Sequence, residues 1–177
     1  MSYVDDQPIK DIKLVFTKSK KKLPIFSWLI MWWTKKAYSH VARAVQIRTW
    51  GHRFFHAAEG SVKYEYEDFF YKKNEVVKEY IIAVCETTDK RIKQACYKQS
   101  GNKYGMMQNI GIFLIDLGIL KKNPWKNGFN CSELMYLEFL KVILPELDYN
   151  PDTIKPHHIE EIILKYFEEK DSKWYLK

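Results

Sequence analysis

Phe129-Asn130-Cys131-Ser132-Glu133-Leu134 leads directly into the apolar run Met135 to Leu144. Asn130 is a residue type that caps helix N-termini, and Glu133 stands where a capping-box glutamate reaches back to the cap. The residues that follow are too densely apolar for a surface helix, so the stretch reads as a largely buried one. Cys131 falls on its first turn. Unpaired backbone N–H groups and the helix dipole favour an anion there, so the thiol is expected to lose its proton more easily. The thiolate is the form that attacks a carbonyl.

The 177 residues allow one domain with a proper core, and 46% hydrophobic content argues against disorder. The net charge of +7, with Lys18, Lys20, Lys21 and Lys22 in one run, favours anionic surfaces such as headgroups, acidic polymer or nucleic acid. Many soluble proteins are equally basic, and no recognised nucleic-acid motif appears. Cys85, Cys96 and Cys131 lack CxxC spacing, so neither a disulfide framework nor a thiolate metal site is expected, and no cofactor. The opening residues carry acids where a signal peptide has a basic region and lack an apolar stretch behind them, so no signal peptide is expected, and Pro24 to Trp33 is too short to span a bilayer. The expected location is the cytoplasm, or a virion if a phage encodes it.

Asp11–Thr17 is β-prone, and Lys18 to Lys22 reads as a solvated loop. Phe26, Leu29, Ile30 and Trp33 recur at helical spacing up to Lys35-Lys36. With Trp28 and Trp32 alongside, this helix suits a membrane interface; in a soluble domain the tryptophans roof a core or cleft, the reading preferred at this level. Ser39–Ile47 and Arg53–Ala58 read as strands about a turn at Thr49-Trp50-Gly51-His52, Val62–Tyr66 as a third, and Glu67–Tyr71 as a helical turn. Glu79–Cys85 is a further strand that makes Cys85 a small buried residue. Helices follow over Lys90–Ser100, capped by Thr88 or Asp89, over Asn109–Leu120, and from Pro156 to about Glu168. Cys96 lies in the first of these, with no activating neighbour. Strands first and helices later make an α+β fold. The expectation is a single domain, with residues 1–37 as a basic, Trp-rich lead-in to a core over 38–168.

A cysteine nucleophile needs an imidazole, and the imidazole needs a group to orient it. His52 falls in a turn, and His157 and His158 open a helix; His40 and His56 instead sit within strands. If Thr49-Trp50-Gly51 is a three-residue loop, paired residue numbers sum to an even value and His40 and His56 share a face. If the loop is Trp50-Gly51, the parity flips and Glu59 becomes the orienting group. His56 is preferred, with Glu59 in reserve.

These residues resemble the circularly permuted branch of the papain-like NlpC superfamily, which includes the lecithin retinol acyltransferase-like proteins. Tyr38-Ser39-His40-Val41-Ala42 is similar to its SHV strand, and Phe55-His56-Ala57-Ala58-Glu59-Gly60-Ser61-Val62 to its second strand. Gly101-Asn102-Lys103-Tyr104-Gly105 resembles its G-x-x-Y segment, Asn130-Cys131-Ser132-Glu133-Leu134 its nucleophile motif, and Ile154-Lys155-Pro156 its closing I-x-P. The N-terminal portion also resembles a small protein carried by tailed phages. The match spans roughly residues 38–160, and the order His-then-Cys is the permuted one.

The resemblance implies a permuted papain-like fold, an antiparallel sheet packed against helices, with Cys131 at the start of a buried helix. It implies a cysteine peptidase or amidase in which Cys131 attacks the carbonyl, His40 acts as base and His56 orients it. Tyr38 is a candidate to line the cleft. The acceptable substrates are a peptide, lipid or cell-wall amide or ester. A lipid or thioester acyltransferase is a close variant, and a catalytically silent binder of anionic lipid or cell-wall polymer a competing reading.

Overall fold

Leu14 and Phe16 are buried on one face of β1 (Ile9–Ser19) and Val15 on the other, so this strand is covered on both sides. The computed structural model describes residues 9–20, 25–47, 51–58, 60–125 and 127–177, with the backbone alone at Phe26, Gln46 and Ile47. Within it the segment read as a lead-in supplies the central strand of a seven-stranded sheet. β1 is flanked by β2 (His40–Ile47) and β5 (Asn74–Cys85). Beyond β2 come β3 (Gly51–Ala58) and β4 (Ser61–Tyr66) as a meander. Beyond β5 lie β7 (Lys173–Leu176) and then β6 (Phe167–Lys170). All pairings are antiparallel except β5 with β7.

Helices cover the two faces unequally. On one side Phe70 of α2 (Glu67–Lys73) packs with Val15, Ala42 and Phe54. The larger core lies on the other side, where α3 (Glu86–Gln99), α5 (Cys131–Met135) and α7 (Pro156–Tyr166) close over Leu14, Phe16, Val41, Val45 and Ile82. A π-helical turn, Tyr136–Leu140, and α6 (Lys141–Ile143) continue α5, giving the long buried helix expected after Asn130. α1 (Ile25–Thr34) and α4 (Met106–Asp116) lie against each other through Trp33 and Phe113, whose rings meet edge-on at 5.3 Å.

Several expectations need correction. The final helix ends at Tyr166, and residues 167–176 form a hairpin that extends the sheet. Its turn, Asp171-Ser172, has positive φ at both residues without any glycine. Lys18 and Lys20 are not part of a free loop: Lys18 pairs with Glu75, and Lys20 donates to the Tyr71 carbonyl. Lys21, Lys22 and the turn at residues 48–50 lie outside the described residues. Trp28 and Trp32 roof nothing; both are more than half exposed. Cys85, half-buried, is the N-cap of α3 in place of Thr88 or Asp89.

Tyr38 does not line a cleft. It is buried, and its hydroxyl donates to Glu160 of α7 at 2.5 Å. Glu160 is 1% exposed and also accepts from Tyr80 at 2.8 Å, Lys78 at 2.5 Å and Lys36 at 3.2 Å. Burial acts to raise its pKa, but these four donors prevail and hold it down to about 2. A carboxylate depressed in the folded state contributes stability above its unfolded pKa and loses it as pH falls through the folded one. The expected contribution is on the order of 3 kcal/mol at neutral pH.

Glu160→Gln should therefore lower unfolding free energy at neutral pH by about 2–3 kcal/mol in urea titrations. The deficit should shrink between about pH 5 and pH 2, as the wild-type carboxyl protonates. A variant as stable as wild type at neutral pH would show that the four donors add nothing.

Candidate active site

The hairpin register decides where the two strand histidines point. β2 and β3 pair as Arg43↔Phe55, Ala44↔Phe54 and Val45↔Arg53, an even sum, so His40 and His56 share a face. The ladder runs to Ile47↔Gly51, one residue earlier than a loop at 49–51 requires, with parity unchanged. The His40 Nε2 and His56 Nδ1 atoms are 2.9 Å apart. Glu59 lies outside the described residues.

A third group, missed in the sequence, continues the chain. Glu65 of β4 brings Oε2 to 3.4 Å from His56 Nε2, long for a hydrogen bond but close for an ion pair. It is visible in retrospect. The β3–β4 hairpin closes at Ala58↔Ser61, with Gly60 at φ +93°, which pairs His56 with Lys63 and places Glu65 two residues on, on the same face. The contact with His56 is the main influence that lowers the Glu65 pKa to about 2; burial opposes it, and Lys73 Nζ at 2.7 Å adds to it.

An ionised Glu65 at 3.4 Å favours one order of tautomers. His56 carries its proton on Nε2, toward Glu65, so His56 Nδ1 accepts from His40 Nε2–H. His40 is left with its lone pair on Nδ1. Burial is the main reason its pKa falls to about 3; His56 lowers it further and Glu65 opposes this. His56 is lowered as well, by burial first. Phe70 walls the pair, 5.2 Å from the His56 ring.

The two histidines lie on the α2 side of the sheet with Phe70, whereas Cys131 comes to β2 from the α5 side, carried from the far half of the chain along a backbone ladder. Residues 101–104 bond to the start of β4, through Gly101 N–H to Val62 O at 2.8 Å and Tyr104 N–H to Gly60 O at 3.1 Å. The next link runs from Phe129 N–H to Lys103 O and from Gly105 N–H to Phe129 O, both 2.9 Å. Gly128 makes that approach possible: at φ +113°, a Cβ there would lie 2.5 Å from Lys103 O. Asn130 then accepts from Ser132 N–H and Glu133 N–H, each at 2.9 Å, as its cap role predicts.

The ladder between β2 and β3 begins at Arg43↔Phe55, and α5 packs on both strands. The Val41 N–H, one residue past His40, is turned to the Cys131 sulfur. No hydrogen bond joins Cys131 to His40 among the described residues; the Ser132 hydroxyl lies 3.9 Å from the sulfur. The Tyr104 phenol is half-buried nearby, its pKa raised first by burial and then by Cys131, and it accepts from Asn109 Nδ2 at 3.3 Å.

The expectation of an acidified Cys131 is overturned. Burial raises its pKa and outweighs the N–H groups of Val41, Ser132 and Cys131 itself. Burial thus disfavours the charged form of both the Cys131 thiol and the His40 imidazole. Cys85 is the thiol that gains from a helix start: bonds from the Thr88 hydroxyl, 3.2 Å away, and from backbone N–H groups lower its pKa. Cys96 is buried, its pKa raised by burial, with Arg43 Nη2 donating to its sulfur at 3.0 Å.

Among the described residues, His157, His158 and Glu161 on α7 could gather round a cation, their donor atoms lying within 4.8 Å of one another. The fit is poor. Lys155 N–H donates to His158 Nδ1 at 3.3 Å, and the positive charges of Lys155 and Lys36 bear on His157.

No protein-family model and no curated protein matches the chain. Among solved structures it is similar to the crystal structure of the metalloprotein YiiX from Escherichia coli O157:H7, described as DUF1105. The superposition has a TM-score of 0.53 at 17% identity, covering 97% of this chain and 90% of that one. At that identity the likeness shows a shared fold.

Iodoacetamide should modify Cys85 well before Cys131 at neutral pH, as read by peptide mass mapping. In a Cys85→Ser background, Cys131 labelling should climb with pH through the alkaline range. A plateau already reached at about pH 6 would reveal a preformed thiolate–imidazolium pair instead.

Proposed function

We propose that this protein is a thiol hydrolase of the permuted papain-like type, an amidase or peptidase acting through a Cys131 thioacyl intermediate. The observation that carries the reading is the chain His40–His56–Glu65, ending one residue from the Val41 N–H turned to the Cys131 sulfur. A histidine whose Nε2 is held by the neighbouring His56 Nδ1 has one free role, that of base at Nδ1.

In the first half-reaction the Cys131 proton passes to His40 Nδ1 as the sulfur bonds the carbonyl carbon. The carbonyl electron pair moves to oxygen. Asn130 occupies the Ser132 and Glu133 N–H groups, so the Cys131 N–H is the helix-start donor for that oxyanion. Tyr104, kept protonated by its surroundings, is a second donor. Collapse expels the amine, which takes the proton from His40. Water then attacks the thioester with His40 as base, the acid forms, and the sulfur regains its proton.

Because burial disfavours the charged form of both groups, the barrier includes charge separation. His56 and Glu65 stabilise the imidazolium that forms, as positioning residues rather than reacting ones. The same cycle with an alcohol or amine in place of water is acyl transfer, so product analysis decides between them.

With an activated thioester or p-nitrophenyl ester, intact-mass spectrometry should detect an acyl adduct on Cys131. Cys131→Ala should abolish turnover, and His40→Ala should lower kcat by about 10²–10⁴-fold. Glu65→Gln should reduce kcat about tenfold or more while leaving KM near wild type. Turnover that survives Cys131→Ala would sink the reading. A protein with no adduct and no turnover, yet normal folding, would favour the silent binder.

A further inference from the structure

The outer face of α1 has no use in the chemistry above. Ile25, Trp28 and Trp32 stand at i, i+3 and i+7, forming one stripe exposed by 70%, 59% and 62%. The two indoles lie nearly parallel, 6.2 Å between centroids and 14° between planes. Large aromatics on a solvent face cost solubility and signal an interaction surface. The neighbouring α4 and the turn after it continue the pattern with exposed Met106, Met107, Leu117 and Ile119.

The charge around this surface is one-sided. Lys35 follows α1, Lys103 precedes α4, and Lys121 and Lys122 follow it, while the next lysine after α1, Lys36, is held by Glu160. Asp116 is the sole acid in these stretches, and Lys155 pairs with it. Lys155 also lies over the Trp33 ring at 4.7 Å, so the junction of the two helices is itself basic.

We propose that the outer faces of α1 and α4 dock on an anionic lipid bilayer. Tryptophan is the side chain most suited to the headgroup level, and helices of this kind lie in the interface with lysines at the border. A second copy of the chain fits less well. A two-fold contact would bring lysine against lysine with no acid to oppose them. No helix of the described residues is long and apolar enough to cross a membrane, so the association is peripheral.

Both helices also touch the site from their inner sides. The Ser27 hydroxyl lies 2.5 Å from that of Ser39, which precedes His40, and Asn109 of α4 donates to Tyr104 beside Cys131. Docking would therefore hold the bilayer against the two elements that flank the nucleophile. The docking itself needs no catalysis and does not rest on the hydrolase reading.

The test is flotation of the full chain with phosphatidylcholine vesicles, with and without phosphatidylglycerol. Tryptophan emission and its quenching by brominated lipid are recorded alongside. Binding is expected to phosphatidylglycerol vesicles alone, to weaken as salt rises, and to be unchanged in Cys131→Ala. Trp28→Ser with Trp32→Ser, and separately Lys35→Glu with Lys121→Glu, should each weaken it about tenfold or more. Circular dichroism confirms that the variants fold. The proposal is overturned by absent binding, by binding indifferent to both pairs of substitutions, or by a concentration-dependent dimer that Trp28→Ser with Trp32→Ser abolishes.

Discussion

A carboxylate taken almost wholly out of water must be met by donors, and the way Glu160 is met organises the structure. Its four donors arrive from two segments: Lys36 and Tyr38 in the link between α1 and β2, and Lys78 and Tyr80 on β5. One side chain of α7 thereby fixes the strand that begins at His40 against a strand on the other side of β1. Phe16 of β1 is packed between the same tyrosines, 4.9 Å from Tyr38 and 5.6 Å from Tyr80. The network is polar where a core is usually apolar, and it confers what apolar contacts lack, a single register for three elements.

The site shows a competition between two effects of unequal reach. Helix-start N–H groups stabilise an anion by a modest amount, and only within the first turn. Removal from water penalises an anion more strongly. At Cys85, half-buried, the local bonds win; at Cys131, buried against β2 and β3, desolvation wins. Position in a helix is therefore a poor guide to thiol reactivity unless the covering is also known.

What the sequence displays follows the range of the interactions involved. The Asn130 cap is legible because donor and acceptor stand two and three residues apart. The shared face of His40 and His56 is legible because a strand has period two and one short turn sets the parity. Glu65 needed only the same argument applied to the next hairpin. The Glu160 network was hidden, since its partners stand 80 to 124 residues away and none has a distinctive local pattern. The C-terminal hairpin was hidden for another reason: Asp171-Ser172 takes the left-handed conformation that usually advertises itself by Asn-Gly. The exposed Trp28 and Trp32 illustrate a limit of periodicity, which locates a stripe but not what covers it.

The raised Cys131 pKa bears on the life of the chain before it is folded. In an extended polypeptide the same thiol lacks its covering and has the ordinary acidity of a free cysteine. The sulfur is thus more open to peroxide and to mixed disulfides on the ribosome than in the finished protein, the reverse of what an activated nucleophile suggests. His40, His56 and Glu65 emerge together and can pair early as a meander, whereas Cys131 joins only after the 101–105 and 128–130 segments are bonded. Synthesis therefore passes through an interval in which the Cys131 thiol is unshielded, and folding closes it.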